Sequence, residues 1–213
     1  MAVKILEIVG TFFPNNCISC GKKLSPRRFL CDFCEDVIRG PLPFSFSLGK
    51  FTARSYWWYE PPVSEIIKAY KFNKRWRLSR LMAQWLFTLL DSCLPAAGTD
   101  FSIIPIPTTF RALRERGFDS NGLILHQLRK IANYEVTDAL IAIKSGLPQS
   151  SLTKEERKRA VEEKFALKTG RLPDKIILFD DVITTGSTIT YCAKLLKDAG
   201  VKELKILSIA RAK

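Results

Sequence analysis

The second half of the chain alternates short apolar runs with longer stretches that have helical spacing. The apolar runs predict strands at Ser102–Ile106, Lys175–Phe179 and Leu204–Ala210. Between them, apolar residues at every third or fourth position predict helices at Asn121–Ala132 and Ser187–Ala199. Strands that alternate with helices are typical of an α/β domain with a mostly parallel sheet, so we predict this fold class.

The first half of the chain has a different pattern. A β-rich stretch from Phe44 to Tyr59 ends in aromatic residues and is broken by Glu60-Pro61-Pro62. A helix is expected to begin near Pro62, because proline is favoured in the first helical turn. Helical spacing continues intermittently to Leu90, and residues 1–12 are expected to form a short helix.

Four cysteines lie near the N-terminus as two CxxC pairs separated by ten residues: Cys17, Cys20, Cys31 and Cys34. A CxxC turn directs two thiolates at one centre, and two such turns complete a tetrahedral metal site. In a reducing compartment, clustered thiols are more often metal ligands than disulfides. We therefore predict structural Zn²⁺, with an iron–sulfur cluster or redox pairs as the alternative.

A Gly-Pro-Leu-Pro run at residues 40–43 follows the cysteines and is typical of a boundary. We predict an N-terminal helix with a four-cysteine zinc module at residues 1–40, and an α/β domain at residues 41–213. The longest apolar stretch, Leu81–Leu94, is shorter than the roughly 20 residues that a membrane span needs. The N-terminus has no convincing cleavage site, so we expect a cytoplasmic protein without membrane insertion.

The segment from Lys175 to Thr188 carries the clearest chemistry. Two carboxylates, Asp180 and Asp181, come at the carboxyl end of its strand, where α/β sheets bind ligands. A small, hydroxyl-rich loop then opens directly into a helix, and its residues are Thr184, Thr185, Gly186, Ser187 and Thr188. Free N–H groups at a helix N-terminus attract phosphate, and glycine lets the backbone approach it. The pattern therefore predicts a phosphate-monoester site, with the acids placed for sugar hydroxyls or hydrated Mg²⁺. The alternative is an acidic turn with an ordinary helix cap.

Two other segments could complete such a site. Arg111, Arg114 and Arg116 cluster after the strand Ser102–Ile106, and guanidinium groups suit a pyrophosphate. Their alternative is a solvated basic helix. The polar segment Gln149–Arg157 is long enough to form a mobile lid.

The charge of the chain adds a second candidate partner. Lys and Arg number 34 against 21 Asp and Glu, which gives a net charge of +13 and favours an anionic ligand. No acid interrupts the cations and aromatics between Lys68 and Arg80, where the candidate nucleic-acid residues are Lys71, Lys74, Arg75, Trp76 and Arg77. Such interleaving is typical of surfaces that bind single strands. Buried aromatics beside solvated cations remain an equal alternative. Further cations lie between the cysteine pairs, at Lys22, Lys23, Arg27 and Arg28.

From Ile176 to Thr188 the chain resembles, position for position, the phosphoribosyl pyrophosphate (PRPP) motif of the type I phosphoribosyltransferases. This resemblance implies a parallel sheet flanked by helices. It also implies that Asp180 and Asp181 contact the ribose hydroxyls, and that the Thr184–Thr188 loop holds the 5′-phosphate of PRPP.

Together with the cysteine module, further motifs resemble the ComF family over nearly the whole chain. They read Ile104-Pro-Ile-Pro107, Arg116-Gly-Phe-Asp-Ser120, and the pattern from Gln149 to Phe165. Three positions depart from the family pattern: Asp119 and Ser120 replace Asn-Gln, and Ala160 replaces Asn. If those amides contact the ligand or order the lid, affinity or activity differs from that of the family.

The ComF resemblance implies a cytoplasmic protein of natural transformation that binds PRPP with Mg²⁺ and handles incoming single-stranded DNA. A competence helicase and other DNA-processing proteins are the implied partners. Whether phosphoribose is transferred is left open. Two alternatives also stay open: a metabolic phosphoribosyltransferase that acts on a base or amine without a DNA role, and a nucleic-acid-binding module with a vestigial phosphate loop.

Overall fold

The computed structural model describes residues 15–25, 28–39, 42–94, 100–143 and 164–213. Several predictions from the sequence lie outside the described residues. They are the N-terminal helix at 1–12, the lid at Gln149–Arg157, Arg27, Ala160 and the first two residues of the boundary at 40–43.

The elements follow one another in an order close to the one predicted. The strands are β1 (Asn15–Asn16), β2 (Lys23–Leu24), β3 (Phe44–Leu48), β4 (Phe51–Trp58), β5 (Ser102–Pro105), β6 (Leu140–Ala142), β7 (Phe165–Leu167), β8 (Lys175–Ile183) and β9 (Glu203–Arg211). The helices are α1 (Asp32–Val37), α2 (Val63–Phe72), α3 (Ser79–Asp91), α4 (Phe110–Arg116), α5 (Ser120–Leu128) and α6 (Ser187–Asp198), with a 3₁₀ turn at Trp76–Leu78. None of the described helices is long and apolar enough to cross a membrane.

A five-stranded sheet forms the centre, with the order β3-β4-β9-β8-β5. Strands β3 and β4 form an antiparallel hairpin, whereas the β4–β9, β9–β8 and β8–β5 pairs are parallel. A mostly parallel sheet flanked by helices confirms the predicted α/β class.

Strand β8 explains why both faces of the sheet are covered. Its Ile177 and Phe179 belong to the core shared with α2, α3 and α5, whereas Ile176 and Leu178 pack with α6. Successive side chains of a strand point to opposite faces, so a continuous apolar run requires an apolar partner on each side.

Two element ends differ from the sequence prediction by several residues. Strand β8 continues past Phe179 to Ile183, because β9 pairs with it along this extension. The two carboxylates therefore lie within the strand and not after it. Helix α5 ends at Leu128 rather than Ala132, because the Ile131 N–H bonds the Leu128 carbonyl and closes a tighter turn.

The cysteine module packs directly against the α/β domain. Leu30, Cys34 and Ile38 belong to the same buried core as Trp57 and Trp85. A division of the chain at residue 40 therefore stays a prediction, since the apolar core continues across it.

One buried hydrogen bond ties helix α2 to the start of α5. The Tyr70 hydroxyl donates to the Ser120 carbonyl oxygen at 2.7 Å, and Tyr70 is fully buried. Substituting Tyr70→Phe should lower the free energy of unfolding by about 0.5–1.5 kcal/mol, the net contribution of one hydrogen bond, since the Ser120 carbonyl in the first turn of α5 also accepts a helical N–H. Urea denaturation measures this change. A loss well below about 0.5 kcal/mol would contradict a stabilising role for this hydrogen bond.

Candidate functional site

The acid pair lies in the carboxyl-terminal part of β8. Asp181 is 3% exposed and Asp180 is partly exposed. This is the sheet edge at which parallel α/β proteins bind ligands. Both carboxylates bind side chains of helices α2 and α5, which pack on the same face of the sheet.

Lys71 of α2 is the partner of Asp181. Its Nζ lies 2.7 Å from Asp181 Oδ1, and the two side chains are 13% and 4% exposed. The second oxygen, Asp181 Oδ2, is buried and has no hydrogen-bond partner among the described residues. Lys71, predicted from the sequence as a nucleic-acid residue, therefore lies at the acid pair.

Asn121 of α5 is the partner of Asp180. Its amide nitrogen donates to Asp180 Oδ1 at 3.0 Å and to the Ile106 carbonyl at 2.9 Å. Burial, followed by the charge of Asp181, raises the pKa of Asp180 to about 7, although Lys71 and Asn121 oppose the shift. The amide oxygen, Asn121 Oδ1, is buried without a partner among the described residues. No local signal marks Asn121 in the sequence, because its contact joins segments 59 residues apart.

The hydroxyl-rich loop connects β8 to helix α6, as predicted. Gly186 has a φ of +79°, and a Cβ at this position would lie 2.5 Å from Leu48 Cδ2 at the end of β3. The left-handed conformation therefore favours glycine, and the Leu48 side chain would have to shift to admit a Cβ. Thr185 and Ser187 are exposed, and their hydroxyl oxygens lie 3.1 Å apart at the start of α6. The loop thus presents hydroxyls to solvent, and the Ser187 N–H donates to the Thr185 hydroxyl at 3.4 Å, while the next N–H groups of α6 have no partner within the helix.

The three predicted arginines on and around α4 do not converge on one point. Arg111 is 81% exposed and pairs with Glu115 at 2.8 Å, and Arg114 is also exposed. Arg116 is half-buried and donates to Ser120 Oγ at 3.3 Å, one residue before Asn121. Its Nε is buried without a partner among the described residues. Only Arg116 is therefore tied directly to the residues around the acid pair.

Two positions that depart from the ComF pattern have local roles. Asp119 accepts a hydrogen bond from the Thr108 hydroxyl at 2.5 Å, and Ser120 accepts one from Arg116. Both lie at the start of α5, so they tie this helix to the loop before α4 and to the end of α4.

The four predicted cysteines converge on one point. The sulfurs of Cys17, Cys20, Cys31 and Cys34 all lie within 4.8 Å of one another, and the Cys20–Cys31 pair is 3.6 Å apart. Tetrahedral zinc, with Zn–S of about 2.3 Å, requires sulfur pairs about 3.8 Å apart. Burial alone would raise the pKa of Cys17, but backbone N–H groups of Cys20, Cys31 and Ser19 lower it to about 6. Burial raises the pKa of Cys34 to about 12, so it is the convergence of the four sulfurs that makes the module a candidate metal site.

Two adjoining depressions lie between the cysteine module and the segment after α2. One, of about 450 Å³, is lined by Arg28 and Phe29 on one side and by Lys74–Arg77 on the other. The other, of about 590 Å³, shares Phe29, Trp76 and Arg77 with it and continues to α5. We call them together the cation–aromatic groove, with the cations Arg28, Lys74, Arg75, Arg77, Arg80 and Lys130 and the rings Phe29 and Trp76.

No acid lines either depression. Arg28 pairs with Asp32 and Glu35, at 2.7 and 3.1 Å. The other five cations form no ion pair within the described part of the chain. Trp76 is 56% exposed. Phe29 and Lys130 escaped the sequence analysis because only folding brings the cysteine module and α5 to this segment. Lys22 and Lys23 are exposed but do not line the groove.

Comparison with known proteins gives relatives across most of the chain. Competence protein F of Haemophilus influenzae is 28% identical over 165 residues, which span 72% of this chain and 70% of that protein. Competence protein ComFC of Streptococcus pneumoniae is 30% identical over 160 residues, which span 74% of this chain and 67% of that protein. DNA utilization protein YhgH of Escherichia coli K12 is 25% identical over 156 residues, which span 72% of this chain and 69% of that protein.

Other comparisons add little. No protein-family model matches the chain. The solved structure of an allosteric regulatory enzyme of purine biosynthesis aligns with 62% of this chain and 24% of its own, at 17% identity and a TM-score of 0.38. That likeness is too weak to support an argument. The identity to ComFC over two thirds of its length, together with the predicted motifs in their predicted order, shows that the chain belongs to the ComF family.

Proposed function

We propose that this chain is a ComF-like protein of natural transformation that handles single-stranded DNA and binds PRPP with Mg²⁺ in the cytoplasm. The relatives are named competence and DNA utilization proteins. The observation that carries the proposal is the cation–aromatic groove. Its residues Lys74–Arg77 directly follow helix α2, which also carries Lys71, the partner of Asp181. Partners would include a competence helicase and other DNA-processing proteins.

The acid pair has the polar chemistry that PRPP and Mg²⁺ require. Asp181 Oδ2 and Asn121 Oδ1 are buried acceptors without a partner among the described residues, and a ribose hydroxyl or a magnesium-bound water could donate to either. The loop Thr184–Thr188 would hold the 5′-phosphate, and Arg116 would lie toward the pyrophosphate. Bound Mg²⁺ would neutralise charge on the pyrophosphate.

The groove has the features of a surface for single strands. Its unpaired cations would follow the phosphodiester backbone, and the exposed ring of Trp76, with Phe29 beside it, would stack on bases. We leave Lys71 out of this set, because it is paired with Asp181. A small phosphorylated ligand uses only a few cations, so PRPP alone does not account for a net charge of +13.

Structural zinc in the cysteine module is supported by four sulfurs that all lie within 4.8 Å of one another. Arg28 and Phe29 lie between the two cysteine pairs, and the Ile18 N–H bonds the Phe29 carbonyl at 3.0 Å. The metal would therefore fix one wall of the groove.

Phosphoribosyl transfer remains the open part of the proposal. Release of pyrophosphate from PRPP with one base or amine from a panel, and without any affinity for DNA, would favour a metabolic phosphoribosyltransferase instead. Release of pyrophosphate together with DNA binding would add an enzymatic step to the competence role.

The acid pair can be tested by isothermal titration of PRPP with Mg²⁺. The double variant Asp180→Asn plus Asp181→Asn should lose nearly all affinity, because charge-assisted hydrogen bonds to the ribose hydroxyls become neutral. A matched control is Asp174→Asn, which neutralises an exposed acid just before β8 that pairs with Lys202. Binding that survives the double variant, or fails equally in the control, contradicts the assignment.

The groove can be tested with a single-stranded oligo(dT) across a range of salt concentrations. Replacing Lys74, Arg75 and Arg77 by Ala should reduce the slope of log affinity against log salt by about 2, at roughly 0.7 per phosphate contact. Trp76→Ala should weaken binding by about 1–3 kcal/mol with the slope unchanged, because only stacking is lost.

A charge-matched control separates the groove from net charge. Lys168, Lys175 and Lys202 lie outside the groove in ion pairs with Asp138, Asp100 and Asp174. Their triple Ala variant removes the same formal charge and should leave the affinity for oligo(dT) nearly unchanged. A loss as large as that of the groove variant would assign the binding to general surface charge.

Metal removal should affect DNA binding as well as stability. Freshly purified protein should contain about one zinc per chain, the expectation for a single four-thiolate site. Chelation should weaken oligo(dT) binding by about 1–3 kcal/mol as Phe29 loses its position, and Zn²⁺ but not Mg²⁺ should restore it. Metal analysis finding well under one zinc per chain would reject the site.

A further inference from the structure

Lys71 occupies the point at which the two proposed sites meet. It is the penultimate residue of α2, and its ammonium group binds Asp181 of the acid pair. Three residues later, Lys74 begins the segment that lines the cation–aromatic groove. Lys71 thus contacts the acid pair and lies three residues before the first residue of the segment after α2 that lines the cation–aromatic groove.

The backbone between these residues is held by a tight helix end. The N–H groups of Asn73 and Arg75 both bond the Ala69 carbonyl, each at 3.2 Å, and Lys74 has a positive φ of 53°. This geometry closes α2 within its last turn. The base of the Lys71 side chain is therefore fixed relative to Lys74 and Arg75, whereas its four-carbon stem is free to change direction.

Lys71 supplies the counter-charge at the acid pair. Its ammonium and Asp181 are both largely buried, an arrangement in which a charge without its partner is costly. Among the described residues, no other cation forms an ion pair with Asp180 or Asp181. A ligand that brings Mg²⁺ or hydroxyl donors to Asp181 would compete directly with Lys71 for that carboxylate.

We propose that Asp181 withholds Lys71 from the nucleic-acid groove, and that a ligand at the acid pair releases it. The inference rests on the proposed function, with PRPP and Mg²⁺ as the ligand and single-stranded DNA as the partner. The released ammonium turns toward Phe72 and Lys74 and adds one cation to the groove. Occupation of the acid pair then strengthens DNA binding, and by linkage DNA strengthens PRPP binding.

A double-mutant cycle tests the release without any PRPP. Asp181→Asn removes the partner of Lys71, so oligo(dT) should bind several-fold more tightly, with a salt slope steeper by about 0.7. Lys71→Met in the same background should cancel both changes. A slope that does not steepen in Asp181→Asn, or that stays steep in the double variant, overturns the inference.

The chain offers a matched control on the same helix. Glu65 pairs with Lys68 at 3.5 Å, and Lys68 is 55% exposed. Glu65→Gln frees a lysine in the same way, but from an exposed pair, and should leave the salt slope unchanged. Lys71→Met alone leaves the Asp181 charge buried and unpaired, so this single variant is at risk of not folding. The double variant is neutral at both positions, so the comparison of Asp181→Asn with the double variant does not depend on the single variant.

Chemical labelling tests the PRPP arm directly. Acetic anhydride should modify Lys71 slowly in the free protein and several-fold faster with saturating Mg²⁺ and PRPP or in Asp181→Asn, while Lys68 reacts at a constant rate. Protection of Lys71 that is unchanged in Asp181→Asn overturns the inference.

Absence of PRPP binding in calorimetry instead contradicts the proposed function, while the Asp181→Asn cycle and labelling still decide the release. If wild-type protein does not bind oligo(dT), the DNA role is wrong, and with it the coupling.

Discussion

Two consecutive carboxylates in a strand that is covered on both faces must find partners, and this constraint organises the structure around β8. Burial makes an unpaired Asp181 costly, so α2 supplies Lys71. Asp180 receives the Asn121 amide from α5. The Tyr70–Ser120 hydrogen bond then ties these two helices to each other. Helices α2 and α5 are thus placed by polar contacts to the acid pair as well as by apolar packing.

The cysteine module packs against the α/β domain and lines one part of the groove. Its apolar residues share the core of the α/β domain, and its Phe29 lines the groove together with Trp76. Four sulfurs within 4.8 Å of one another can be held together by one metal ion. A structural metal would therefore serve a surface that lies outside the module itself, because the residues between its ligands line that surface.

The predictions from the sequence were most successful where the signal was local. The strands on either side of the phosphate loop, the helix after it and the convergence of the four cysteines are confirmed. The length of β8 was underestimated, because pairing with β9 and not composition decides where that strand ends. Lys71 had every local property of the basic segment around it, yet its position in the fold is set by Asp181, 110 residues away. The proposed roles of the remaining site residues stay predictions.

The sequence by itself determined the α/β class, the hydroxyl-rich loop between β8 and α6 and the spacing of the four cysteines, because each depends on residues that are close together in the chain. Only the tertiary structure decided which cations stay free and which are neutralised. It also decided that Arg116, and not Arg111 or Arg114, contacts Ser120 beside Asn121, and that the cysteine module completes the groove. These outcomes depend on contacts between distant segments, since burial and charge compensation are properties of the folded surroundings of a side chain.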